Sequence, residues 1–77
     1  MRLSEAPSNV ELLVCEIRTG KEGKRKLNNL GIRTDELLLK ISEAKWGPIL
    51  VKPLSNGNSK IAIGRGIANK IEVSYDG

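Results

Sequence analysis

Apolar positions along this chain come in short runs whose period changes from two to three or four and back, with glycine, proline and asparagine at the breaks. Val10 to Arg18 is the first run. Leu13, Cys15 and Ile17 share one parity, and Val10, Leu12 and Val14 the other. A segment apolar on both sides at its start and on one side later predicts a strand that bends between two packed surfaces at a bulge. Cys15 lies on the apolar parity and is expected as a buried core thiol. Thr19-Gly20 breaks the strand. Lys21 to Leu30 follows as a short helix, weakened by roughly 1 kcal/mol at Gly23 and too short to persist without packing. Leu27 and Leu30 are three apart and share a helical face. Gly31 stands where a residue with positive φ stops a helix, and Ile32, the next residue out, is expected to touch Leu27 across the turn.

Glu36 to Lys45 alternates again. Leu37, Leu39 and Ile41 are read as the inner face of a strand, Lys40 and Ser42 as the outer. Trp46-Gly47-Pro48 is a turn, and Ile49 to Leu54 is the next strand. Pro53 has no N–H, so it belongs at a strand end or on an edge, and such an edge leaves room for pairing with a second copy. Ser55-Asn56-Gly57-Asn58 predicts a type I′ hairpin. Ser59 to Ile63 returns with Ile61 and Ile63 inward, residues 64–69 fit a single helical turn, and Lys70 to Tyr75 turns Ile71, Val73 and Tyr75 toward the core. Before the first strand, Leu3 is expected to tuck under the fold, Ser4 to cap a short turn and Pro7 to extend the chain. Five short strands, one helix after the first and one helical turn before the last predict a mainly β domain of residues 1–77, rolled into a small barrel whose closure removes the edges a flat sheet would expose.

Composition narrows what such a domain can do. With 77 residues, the chain buries only about 60 % of the surface it exposes when unfolded, and there is no room for a large cleft. Trp46 and Tyr75 are the only aromatic residues, so the core must be aliphatic. There is no histidine, and the single cysteine cannot form an internal disulfide. A reducing, cytoplasmic setting is the simpler reading, in keeping with a first segment that lacks the apolar stretch of a signal peptide. The carboxylates are scattered without ligand spacing, so no metal site and no cofactor are expected. No acid–base pair points to catalysis. Gly64-x-Gly66 lacks the glycine, lysine and long helix of a phosphate loop and is read as a turn.

Charge supplies the candidate surface. Net charge is +4, and Arg18, Lys21, Lys24, Arg25 and Lys26 crowd one stretch. Three readings stand: a solvated helix face whose aliphatic stems cover the core, a docking surface for an acidic partner or for membrane headgroups, and a nucleic-acid site. The last is the least favoured, because single-strand binders stack bases on exposed aromatics. Trp46 in its turn is either an interface anchor or a lid over the end of the fold.

The order and spacing of Leu27-x-x-Leu30-Gly31-Ile32, Gly47-Pro48-Ile49-x-Val51 and Ile61-Ala62-Ile63-Gly64-Arg65-x-x-Ala68-x-x-Ile71-x-Val73 resemble the FeoA family, as does the opening Leu3-Ser4-Glu5-Ala6-Pro7. The resemblance covers nearly the whole chain. It implies an SH3-like β-barrel and a cytoplasmic accessory role in ferrous-iron uptake beside the membrane GTPase that carries the ion. It also implies docking on that permease's cytosolic region, for which Lys21, Lys24, Arg25, Lys26 and Trp46 are the candidate contacts. Leu27, Leu30, Gly31, Ile32, Gly47, Pro48, Asn56 and Gly57 would be structural. In one place the chain departs from the family: the Pro-Gly usual two residues after the Gly-Ile pair is replaced by Thr34-Asp35, and Asp35 is expected to take left-handed geometry.

Overall fold

The strand at Leu37–Glu43 is the middle of the fold, and its phase decides what lies inside. In the computed structural model, which describes residues 1–56 and 59–75, Leu38 and Lys40 point into the core while Leu37 is 41 % exposed and Leu39 and Ile41 are half-buried. The inner face read from the sequence is therefore the outer one. Lys40 is fully buried. Its ammonium donates to the carbonyls of Leu3 (3.2 Å), Ser4 (3.4 Å) and Ala6 (2.7 Å) and pairs with Glu43 at 2.7 Å. A buried charge is tolerable when its hydrogens all find acceptors, and here they do.

Five antiparallel strands form one sheet: β1 (Glu11–Ile17), β2 (Leu37–Glu43), β3 (Ile49–Pro53), β4 (Ile61–Ile63) and β5 (Ile71–Ser74), ordered β4-β3-β2-β1-β5. Helix α1 (Lys21–Asn29) follows β1, and the single turn α2 (Arg65–Ala68) precedes β5. The sheet is not closed into a barrel, since β4 and β5 are its two edges. β4 is only three residues long, and β5 is partly covered by the N-terminal segment, where the Val73 N–H donates to the Met1 carbonyl at 2.7 Å and Arg2 bridges to Glu72. Short or covered edges resist pairing with other chains. β3 lies between β2 and β4, so the Pro53 strand is not an edge; Pro53 sits instead at the strand's end, opposite Leu38.

The bulge in β1 is present. Register with β5 shifts between Val14 and Glu16, which makes Cys15 the extra residue and brings Ile17 into phase with Leu12 and Val14, all three buried. Cys15 is exposed, not in the core, with its sulfur 3.4 Å from the Ser74 hydroxyl.

Helix α1 ends as its sequence predicts. Gly31 takes φ 97°, the Ile32 N–H donates to the Leu27 carbonyl at 2.9 Å and the Gly31 N–H to Asn28 at 3.0 Å, which is the paired bonding of a Schellman motif. Leu27 and Ile32 are both buried in the core, but Leu30 on the same helix is 43 % exposed. Asp35 has φ 69°, the left-handed geometry expected of it. Leu3, in a 3-10 turn over Leu3–Glu5, is buried beneath the sheet. Ser4 does not cap that turn; its hydroxyl bonds the Asn69 side chain. After Pro53 the chain makes a 3-10 turn, Leu54–Asn56, at the place where the hairpin was expected; Gly57 and Asn58 lie outside the described residues. Tyr75 is 37 % exposed and does not join Ile71 and Val73 in the core.

Replacing Lys40 by methionine leaves three carbonyls without their donor and Glu43 without its nearest cation. Stability should fall by about 2–4 kcal/mol, read from urea unfolding. The hydrogen bond from Lys40, then its charge, and then Arg65 hold the Glu43 carboxyl below its ordinary value of 4.5. The folded state therefore favours the ionised form: its contribution is present above pH 4.5 and is lost as pH falls through the lowered folded value. Glu43→Gln should flatten the acid limb of stability against pH relative to wild type. Gly23 gives a second, independent test. A Cβ there would lie 2.9 Å from both Cβ and Oγ1 of Thr19, so Gly23→Ala should not show the gain of roughly 1 kcal/mol that helix propensity alone would bring. A rise in urea midpoint of that size would refute the close approach.

Candidate docking surface

Helix α1 is built to be held by a single anchor. Gly20 is its N-cap, and the Lys24 N–H donates to the Gly20 carbonyl at 2.9 Å. Leu27 is its one fully buried residue. Lys21, Lys24, Arg25 and Lys26 are all exposed. None of the four is ion-paired with another described residue. Arg18 differs: its guanidinium pairs with Glu16 at 3.2 Å and Glu72 at 3.9 Å, so the sheet absorbs part of that charge.

Trp46 sits in the β2–β3 turn and is 90 % exposed, which settles the choice between lid and projecting side chain in favour of projection. The turn is tight. The Gly47 N–H donates to Ala44 at 3.3 Å, and a Cβ at Gly47 would lie 2.9 Å from that of Ala44. Pro48 follows, exposed, where the chain enters β3. Arg65, at the start of α2, donates to the Ala44 carbonyl and pairs with Glu43 at 3.1 Å. Beyond α2, the residue that leads into β5 meets the start of the helix connection, since the Arg18 N–H donates to the Lys70 carbonyl at 2.8 Å. The turn that carries Trp46 and the connection that launches α1 are thus both tied to residues 65–70, which contain α2, a single helical turn with Ala68 buried and Ile67 42 % exposed.

Sequence reasoning missed the residues that hold this arrangement. The sequence pattern puts Arg65 in a glycine-flanked turn and Lys40 on a solvent face. The one legible signal was the spacing of Lys40 and Glu43, three apart, which in a bulged strand lets the two side chains meet. Among the described residues no group of three or more histidine, cysteine or carboxylate side chains converges to hold a metal ion, and no helix is long and apolar enough to cross a membrane.

Comparisons with known proteins place this architecture. A family model described as the FeoA domain matches residues 1–75. No curated protein sequence matches the chain. Among solved structures, the fold is similar to that of an iron uptake regulatory protein (FeoA), with a TM-score of 0.82 and 26 % identity over 95 % of this chain and 93 % of the other. It is similar to iron(II) transport protein A from Clostridium thermocellum, with a TM-score of 0.84 and 26 % identity over 97 % of this chain and 45 % of that one. FeoA from Stenotrophomonas maltophilia, solved with zinc and described as a procaryotic SH3 domain protein suggested to act as a ferrous iron transport activating factor, aligns with a TM-score of 0.71 at 23 % identity over 96 % and 89 % of the two chains; at that identity the likeness is one of fold. The mainly β, SH3-like architecture expected from the sequence is present, with an open sheet in place of a closed barrel. Matched from its first residue nearly to its last, the chain belongs to the FeoA family, whose members are tied to ferrous-iron transport.

Proposed function

We propose that this protein is a non-enzymatic, cytoplasmic accessory factor of ferrous-iron uptake that docks on the cytosolic GTPase region of the ferrous-iron permease. The observation that carries the reading is the pairing of four exposed α1 cations with an almost fully exposed tryptophan, the two tied to residues 65–70. Tryptophan and arginine are the residues most often found as interface hot spots. Cations that form no ion pair with another described residue steer an acidic partner onto the surface and fix its orientation. The Glu43–Arg65 pair and the Ala44 contact hold the Trp46 turn in place before any partner arrives, which lowers the ordering cost of binding. A protein with this role needs no iron ligand of its own, because the permease carries the ion.

The test is an NMR titration of labelled protein with the cytosolic GTPase region of the cognate permease, with a short RNA as control. Shifts should cluster on Lys21 to Leu30 and on the Trp46 turn with the permease fragment alone. The double reversal Lys24→Glu with Arg25→Glu should weaken binding by about tenfold or more and leave thermal unfolding unchanged. Unaltered affinity in that variant overturns the patch. Salt-sensitive shifts with RNA and none with the fragment would move the assignment to a nucleic-acid-binding module.

A further inference from the structure

The phase of β2 leaves an apolar outer face on the sheet that the core does not use. Leu13 on β1 is 37 % exposed and Leu37, its cross-strand neighbour, 41 %. Leu39 and, on β3, Leu50 are half-buried on the same face. Four leucines thus share the outer face, each with part of its surface in solvent.

Charge placement on the face fits a second copy of the same chain. Glu11 pairs in register with Leu39 on one side, and Lys52 pairs with Leu39 on the other. Acid, leucine and base therefore lie in one row across three strands, with the two charges about 10 Å apart by strand spacing. Neither Glu11 nor Lys52 is ion-paired with another described residue. Two such sheets packed face to face are also separated by about 10 Å, a gap that a glutamate and a lysine together can span. A two-fold axis parallel to β2 through Leu39 sets each Glu11 opposite the other copy's Lys52 and puts leucine on leucine between them. Turning the axis to run across the strands would set Glu11 against Glu11 and Lys52 against Lys52. The face is self-complementary in one orientation, which is the requirement for an isologous interface.

We infer that the outer face of β1–β2–β3 is a homodimer interface, with Leu39 on the two-fold axis and two Glu11–Lys52 pairs flanking it. The interface lies on different elements from the α1 cations and the Trp46 turn, and its test does not involve the permease.

The experiment is sedimentation equilibrium of the full chain and its variants at physiological salt, with circular dichroism to establish that each variant is folded. Wild type should dimerise and Leu39→Lys should be monomeric. Glu11→Lys and Lys52→Glu, each alone, place like charges together twice per dimer and should raise the dissociation constant about tenfold or more. An equimolar mixture of these two variants restores both opposite-charge pairs, so heterodimers should form with near wild-type affinity. The mixture is the decisive arm, because loss of fold in either variant could not be repaired by mixing. Wild type that stays monomeric at millimolar concentration, a dimer indifferent to Leu39→Lys, or a mixture that remains monomeric would each overturn the inference.

Discussion

A lysine with no exposed surface must find acceptors for its hydrogens inside the protein, and in this fold that demand organises one whole end of the sheet. Three of the acceptors of Lys40 are carbonyls of the N-terminal 3-10 segment, which fixes that segment under the sheet and seats Leu3 and Ala6 in the core. The fourth is Glu43, whose second oxygen is taken by Arg65. Arg65 in turn grips the Ala44 carbonyl. A single buried ammonium thus connects the start of the chain, the central strand, the short helix before the last strand and the turn that presents Trp46. Removal of a charge with this many dependents is felt as more than one lost contact.

The same lysine explains where sequence reasoning went astray. Leu37, Leu38 and Leu39 are consecutive and do not say which face of β2 is inside; the phase rests on Lys40, Ile41 and Ser42, and a lysine ordinarily marks solvent. What reverses the reading is a set of carbonyls 34 to 37 residues away, which no local pattern reveals. Cys15 failed for a related reason. The bulge in β1 was legible, but the identity of the extra residue was not, and one residue of slip carries a side chain to the opposite face. The cap of α1 was legible in full because every bond of the motif lies within the six residues from Leu27 to Ile32. Local hydrogen-bond chemistry can be read from sequence, while burial that depends on distant acceptors cannot.

The candidate surfaces divide along the same line. Cationic side chains on a short helix and an aromatic residue in a Gly-Pro turn announce themselves in the sequence, and both are exposed as that reading requires. The apolar outer face of the sheet was hidden by the inverted phase, because residues assigned to the core raise no question about a partner. Correcting one strand's phase adds a second candidate surface to a domain whose sequence points to one.

The position of Trp46 has a consequence for how this molecule can be observed. It is the chain's only tryptophan and is 90 % exposed in the folded state, so its indole is already in contact with water before unfolding begins. Its fluorescence is therefore a poor reporter of denaturation and a sensitive one of contact: emission should hardly move as the fold melts, and should shift to the blue when another surface covers the ring. Nature has in effect labelled the tip of the domain with a dye that is blind to folding and alert to company.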